Sequence, residues 1–189
     1  QLGAQLGPAA LLEDTPVSMA PETILTEGIQ DLTNTLVEEF KLNDVMQMVL
    51  ETMHRGMAFN RTLFIMRDAK TQKMVARQGF GHEIDTVLPK FHFTLGHVPD
   101  VFHLAINEGA DLLIADIGAA NIAAKIPTWY RQAVSAQSFI LLPVVVNKKP
   151  VGIFYADMEA ANSMQVSPKQ LSLLRTLRNQ LVLAIKQKS

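Results

Sequence analysis

Three histidines, His92, His97 and His103, fall within twelve residues of one another, and neutral imidazole is a good metal ligand. Their spacings of 5 and 6 place them on different local elements, and no cluster of Asp, Glu or His completes a shell. They read as loop or surface residues, and no metal is expected. Gly79-Phe80-Gly81 is a lone G-x-G after a strand-like run. It lacks the third glycine and the helix start that would cradle a phosphate, so it reads as a tight turn. There is no G-x-S-x-G, and no Ser-His-Asp order stands out. With no cysteine, disulfides, thiolate nucleophiles, Cys-ligated zinc and thioether-linked chromophores are all excluded. Catalysis is not expected.

The constellation that remains is aromatic. Phe91, Phe93, Phe102, Trp129 and Tyr130 lie in an irregular middle stretch between His82 and Gln137. Small-molecule sites are concave, mostly apolar and supplied with a few polar groups; His92, Asp116, Arg131 and Ser138 could supply these. The same aromatic residues could instead fill a minor core and leave no cavity. The residue types allow both.

Composition narrows the class. The chain has 189 residues, 48% of them hydrophobic, enough to bury one core and roughly 70% of the unfolded surface. Seventeen basic and 18 acidic residues give a net charge of −1 without blocks of like charge, which argues against nucleic acid or a polybasic membrane patch. The longest apolar run, Phe139–Val146, is far short of the ~20 residues of a membrane span. No signal peptide is visible in Gln1–Ala20, so a cytoplasmic location is expected. The first residue is Gln rather than Met, as expected of a piece of a longer protein.

The strongest structural signal is Ser138–Glu159. Two runs, Phe139–Val146 and Val151–Ala156, flank the polar connection Asn147-Lys148-Lys149-Pro150. Their β-branched and aromatic content predicts a hairpin. Neither run alternates, so both faces should be covered. Upstream, residues 1–21 read as a linker or the tail of a preceding unit, rich in Ala, Gly and Pro. Pro21 suits a first helical turn, and Leu25, Ile29, Leu32, Leu36 and Phe40 then form a narrow apolar stripe. Such a stripe suits a partner helix or simple packing onto its own domain. Val45, Met46, Val49, Leu50, Met53 and Met57 predict a second helix from Leu42. Thr62–Arg67 and Lys73–Gln78 predict an antiparallel pair closed by Gly79-Phe80-Gly81. Short elements follow: a strand at Phe91–Phe93, a helix at Pro99–Glu108 stopped by Gly109, a strand at Asp111–Asp116, and a helix at Pro127–Ala136. Ser167-Pro168 opens a last helix with Leu174, Leu177, Leu181 and Ala184 on one side.

This order, with these residues, resembles a GAF domain. The resemblance is carried by Leu42–Leu50 leading into Thr62–Asp68, by Asp111–Asp116, by Leu141–Val144 through Val151–Asp157 with Pro143 and Gly152, and by Leu171–Ile185. More loosely, Ile29–Gln187 resembles the C-terminal GAF-type region of bacterial HDOD signalling proteins. The resemblance implies an α+β fold: an antiparallel sheet with long N- and C-terminal helices on one face and short helices and loops on the other. It divides the chain into the linker 1–21, a signalling or dimerisation helix 22–41, and the GAF-like domain 42–189. It implies a sensory or regulatory module that binds an unidentified small molecule against Phe91, His92, Phe93, Phe102, Asp116, Trp129, Tyr130 and Ser138. The state would pass to an upstream domain through a homodimer seam of Leu25, Ile29, Leu32, Leu36, Leu174, Leu177 and Leu181. A ligand-free dimerisation or interaction scaffold is the alternative. Bilin attachment and free methionine sulfoxide reduction, which use cysteines in the family, are excluded. The Asn-Lys…Phe…Asp-Glu signature of cyclic-nucleotide binders cannot be placed here, which disfavours those ligands.

Overall fold

The hairpin forms around Asn147 and Lys148, whose φ values of 51° and 65° make the two-residue turn that matches strand twist. It joins β5 (Ser138–Val146) to β6 (Lys149–Met158). In the computed structural model, which describes residues 19–189, these are two of six strands. The others are β1 (Arg61–Asp68), β2 (Lys73–Gly81), β3 (His92–Thr94) and β4 (Leu112–Ile114). The order across the sheet is β3-β2-β1-β6-β5-β4, antiparallel throughout. This is the expected α+β class. β2 runs on through Gly79-Phe80-Gly81, all three paired with β1, so the turn expected there is not made. The linker reading of residues 1–21 falls almost wholly outside the described residues.

One face of the sheet carries α1 (Pro21–Leu36), α2 (Leu42–Met57) and α6 (Pro168–Lys188). The other carries α3 (Ile84–Val87), α4 (Val101–Glu108), α5 (Thr128–Ala133) and loops. Each face has its own apolar core. Leu63, Ile65, Phe139, Leu141, Ile153 and Tyr155 point to the loop side; Phe64, Ile140, Leu142, Val144, Phe154 and Ala156 point to the helices. α6 begins with a full capping box between Ser167 and Gln170, and the Gln170 amide also donates to Glu22 of α1.

α1 stops at Leu36, leaving Phe40 in the connection. β-branched Thr33, Thr35 and Val37 weaken its last turn, and both threonine hydroxyls donate back to carbonyls four residues earlier. α1 packs on both α2 and α6. Leu25, Leu32, Leu36, Leu174, Leu177 and Leu181 are 0–9% exposed within the single chain, and half-buried Ile29 packs on the same core. This corrects the assignment of those seven residues to a seam between copies. The helices that show the periodicity are covered by one another, and the outward face of α1 (Thr26, Glu27, Gln30, Asp31, Asn34) is polar.

Two arginines tie α6 to the sheet edge. Arg175 Nε and Arg178 Nη1 donate to the Asp111 carboxylate at 2.7 and 2.8 Å, and Arg178 Nη1 also reaches the Pro143 carbonyl at 2.9 Å. The Pro143 carbonyl therefore points away from β6, and its nitrogen lies on that same side. β4 pairs only with Phe139–Leu141, so the missing N–H costs no ladder bond.

Gly152 is required by close approach. A β-carbon there would overlap the Phe64 ring and sit 2.7 Å from the Ile65 carbonyl oxygen. Gly152→Ala is expected to destabilise the fold by about 1–3 kcal/mol, the usual cost of overpacking, measured by urea unfolding. An unchanged midpoint would show that Phe64 can withdraw without cost.

Candidate functional site

The loop layer is held to the sheet by rings. Phe91 follows a 3-10 turn at Leu88–Lys90, and its carbonyl accepts from Ala76 N of β2 at 2.9 Å. Its ring centroid lies 4.8 Å from Tyr155 and 5.4 Å from Trp129. Trp129 packs on Phe102 at 4.8 Å and stacks on Phe93 at 5.8 Å. Tyr130 and Phe139 meet at 4.7 Å. Phe91, Phe102, Tyr130, Phe139 and Tyr155 are fully buried. The five expected aromatic residues are thus brought together, joined by Phe139 and Tyr155 from the sheet. The rings pack against one another there, as a second core does.

The polar residues expected to serve that space are engaged elsewhere. His92 is exposed on β3, its alternation opposite to that of its inward neighbours Phe91 and Phe93. Asp116 accepts from Gly118 N in its own loop, and Ser138 Oγ donates to the Ala160 carbonyl at 3.0 Å. Arg131 donates to the carbonyls of Ile117 and Ala123. Of the three histidines, His92 and His97 are exposed and only His103 is buried. His103 Nδ1 faces the Asp100 carboxylate at 2.9 Å, and Nε2 faces the Thr94 carbonyl at 2.8 Å. Asp100 also caps α4, so His103 bridges the two ends of the 95–99 loop.

Beneath the aromatic layer runs a buried polar chain. Arg61 opens β1 and stands directly opposite Asp157 of β6; they are 3% and 0% exposed. Arg61 Nη1 donates to Asp157 Oδ2 at 3.0 Å, Nη2 to Glu159 at 2.8 Å, and Nε to the His82 carbonyl at 3.0 Å. Tyr155 donates to the same Asp157 oxygen at 2.6 Å. Tyr130 Oη, 2.9 Å from Tyr155 Oη and 3.1 Å from the Ala136 carbonyl, extends the chain into α5. Asp157 Oδ1 finds no donor among the described residues. Burial pushes the Asp157 carboxyl up to about 6, outweighing the lowering by Tyr155 and Arg61. Burial also raises both phenols.

Sequence reasoning passed over this pair because its members are 96 residues apart. A signal existed. Arg61 precedes one apolar run and Asp157 ends another, and antiparallel pairing sets the start of one strand against the end of its neighbour.

An open cleft of about 280 Å³ adjoins the chain, lined by Arg61, Glu83, Val87, Arg131, Gln132 and Val134 among others. Ser135, also on its wall, donates to Glu159 at 2.7 Å. Its wall carries two arginines and one glutamate, with Arg61 already paired to Asp157 and Glu159, and its polar side chains suit a small polar molecule better than an apolar one. A second cleft, about 380 Å³, opens on the helical face between the first turns of α2 and the last turns of α6. Its wall is almost wholly apolar, from Leu42, Met46, Phe64, Met66, Leu181 and Ile185.

No family model and no curated protein matches the sequence. Solved structures match in fold. The GAF domain of an Acinetobacter phosphoenolpyruvate-protein phosphotransferase superposes with a TM-score of 0.68 at 15% identity, covering 86% of this chain and 92% of that one. A GAF domain/HD domain protein from Geobacter sulfurreducens gives 0.63 at 11% identity over 78% and 93%. A free methionine-R-sulfoxide reductase from Neisseria meningitidis, in complex with its substrate, gives 0.66 at 13% identity over 93% and 98%. The curled six-stranded antiparallel sheet with its helices is the fold of these GAF-domain structures, as the sequence resemblance implied.

Removing one member of a buried pair strands the other charge, at a cost of about 3–5 kcal/mol. Arg61→Met is therefore expected to destabilise the protein by that amount in denaturant melts. Adding Asp157→Leu to it should restore most of the loss. If the double variant is no better than Arg61→Met alone, the cost lies in packing rather than in the stranded carboxylate.

Proposed function

We propose that this chain is a regulatory module of the GAF type that takes a small polar molecule at the cleft over Arg61 and passes its state to a neighbouring domain. The observation that carries the reading is the buried Arg61–Asp157 pair with its tyrosine relay, reaching that cleft through Glu159 and Ser135. Desolvated charges with a displaced carboxyl beside a concavity mark functional sites more often than scaffolds. In this reading the chain is not an enzyme and needs no resident cofactor. The output route is α6, braced to the sheet edge at Asp111 and to α1 at Glu22. The neighbour is an upstream signalling domain of the HDOD type. Dimerisation, in this reading, uses exposed Val37, in the turn after α1, and exposed Leu183 of α6.

A second reading, a ligand-free interaction scaffold, is favoured by the aromatic layer, in which Phe91 and Phe102 are fully buried and packed ring against ring. Native mass spectrometry of protein purified from cells, beside its denatured mass, separates the two. The regulatory reading expects a small mass excess per chain that Ser135→Trp, a substitution at an exposed cleft residue, removes. No excess in either protein would turn the assignment to the scaffold. Two chains in the native mass would support the dimer.

A further inference from the structure

The loop layer meets the sheet at one titratable group. Asp157 sits on β6 with no exposure, under α5 and the segment that returns from α5 to β5. Every group that faces it can be named. Arg61 comes from β1 and Tyr155 from β6, and Glu159 follows β6. Tyr130 of α5 reaches it through Tyr155, and Phe139 of β5 stands opposite as an apolar wall. His82 and Glu83 lie at the outer end, where the His82 carbonyl holds Arg61 Nε. One carboxylate oxygen takes both donors; the other, Oδ1, takes none among the described residues. An ionised carboxylate with an orphaned, desolvated oxygen is costly, whereas a protonated one is much less so. Opening of the layer would expose Oδ1 to bulk water.

We propose that α5 and the segment to Ser138 form a pH-linked cover over the sheet, closed most firmly while Asp157 carries a proton and opening more often once its carboxyl ionises. The sign follows from linkage. The closed state binds the proton more tightly than a state with Asp157 in water, so raising the pH favours opening between the ordinary carboxylate range and about 6, and the effect is complete above that. The cover includes Val134 and Ser135 on the wall of the polar cleft, so access there should follow pH. The inference rests on the geometry of Asp157 and not on any ligand at the cleft, so it can fail while that assignment stands.

Native-state amide exchange tests it, on the whole chain and corrected for intrinsic rates. The reporters are Val134 and Gln137, whose amides donate to the Tyr130 and Glu159 carbonyls. Their opening constants are expected to rise by up to about 100-fold from pH 4 to 7, while buried Val49 of α2 stays level. Asp157→Asn should abolish the rise. Tyr155→Phe, which removes a donor to the carboxylate and keeps it buried, should move the midpoint to higher pH. Flat profiles at Val134 and Gln137, an equal rise at Val49, or a rise that persists in Asp157→Asn would each overturn the proposal. Should Asp157→Asn fail to fold, the Asp157 carboxyl carbon resonance decides: a titration midpoint in the ordinary carboxylate range refutes it.

Discussion

Over most of their length, strands β1, β5 and β6 have no face to give to water. Their side chains are buried alternately toward the helices and toward the loops, so each strand needs two covers. That requirement organises the molecule. A sheet buried on one side could have left the stretch between β2 and β5 as a surface excursion. Here the stretch must return over the sheet and supply a second core. The constraint also explains Gly152, since Phe64 lies across β6 only because no side chain stands there.

The two covers are built from different materials. The helices bring mainly aliphatic and thioether side chains, which pack on Phe64 and Phe154 of the sheet, with α1 laid across α2 and α6. The loop side is aromatic, and large rings let a short, irregular segment bury much area with few residues. The buried ion pair lies on the loop side. Arg61, Asp157, Tyr155 and Tyr130 hold a continuous hydrogen-bonded line under the rings. Well-packed apolar residues of similar volume are often as stable as a buried ion pair, so the line is better understood through what it allows than through what it stabilises.

Much of the architecture was legible in the sequence, for local reasons. The hairpin announced itself through β-branched runs around Asn147-Lys148, and α6 through Ser167-Pro168 with its leucines. Periodicity shows that a helix has an apolar face but not what covers it. Leu25, Leu32 and Leu177 therefore read equally well as a seam between copies and as an internal core. The loop side was legible in membership and not in shape: the five aromatic residues do converge, but whether rings leave a cavity depends on Phe139 and Tyr155, which the sequence presents as ordinary strand residues. His92 and Ser138 show the same limit, since one residue of strand alternation decides which layer a side chain serves. The Arg61–Asp157 pair needed strand register, which no local pattern carries.

The contact between Glu22 and Gln170 joins helices that begin almost 150 residues apart, and α1 rests on α6 along its buried leucines. The consequence is one of timing. On the ribosome α1 emerges well before the helix that covers it has been made. Until then the leucine stripe of α1 has only α2 to lie against, and the helix-side faces of β5 and β6 are without α6. The helical layer closes only after α6 has left the exit tunnel, as expected of a fold whose decisive contacts lie far apart in sequence. Through that interval, shielding of those leucines falls to chaperones or to whatever chain precedes Pro21.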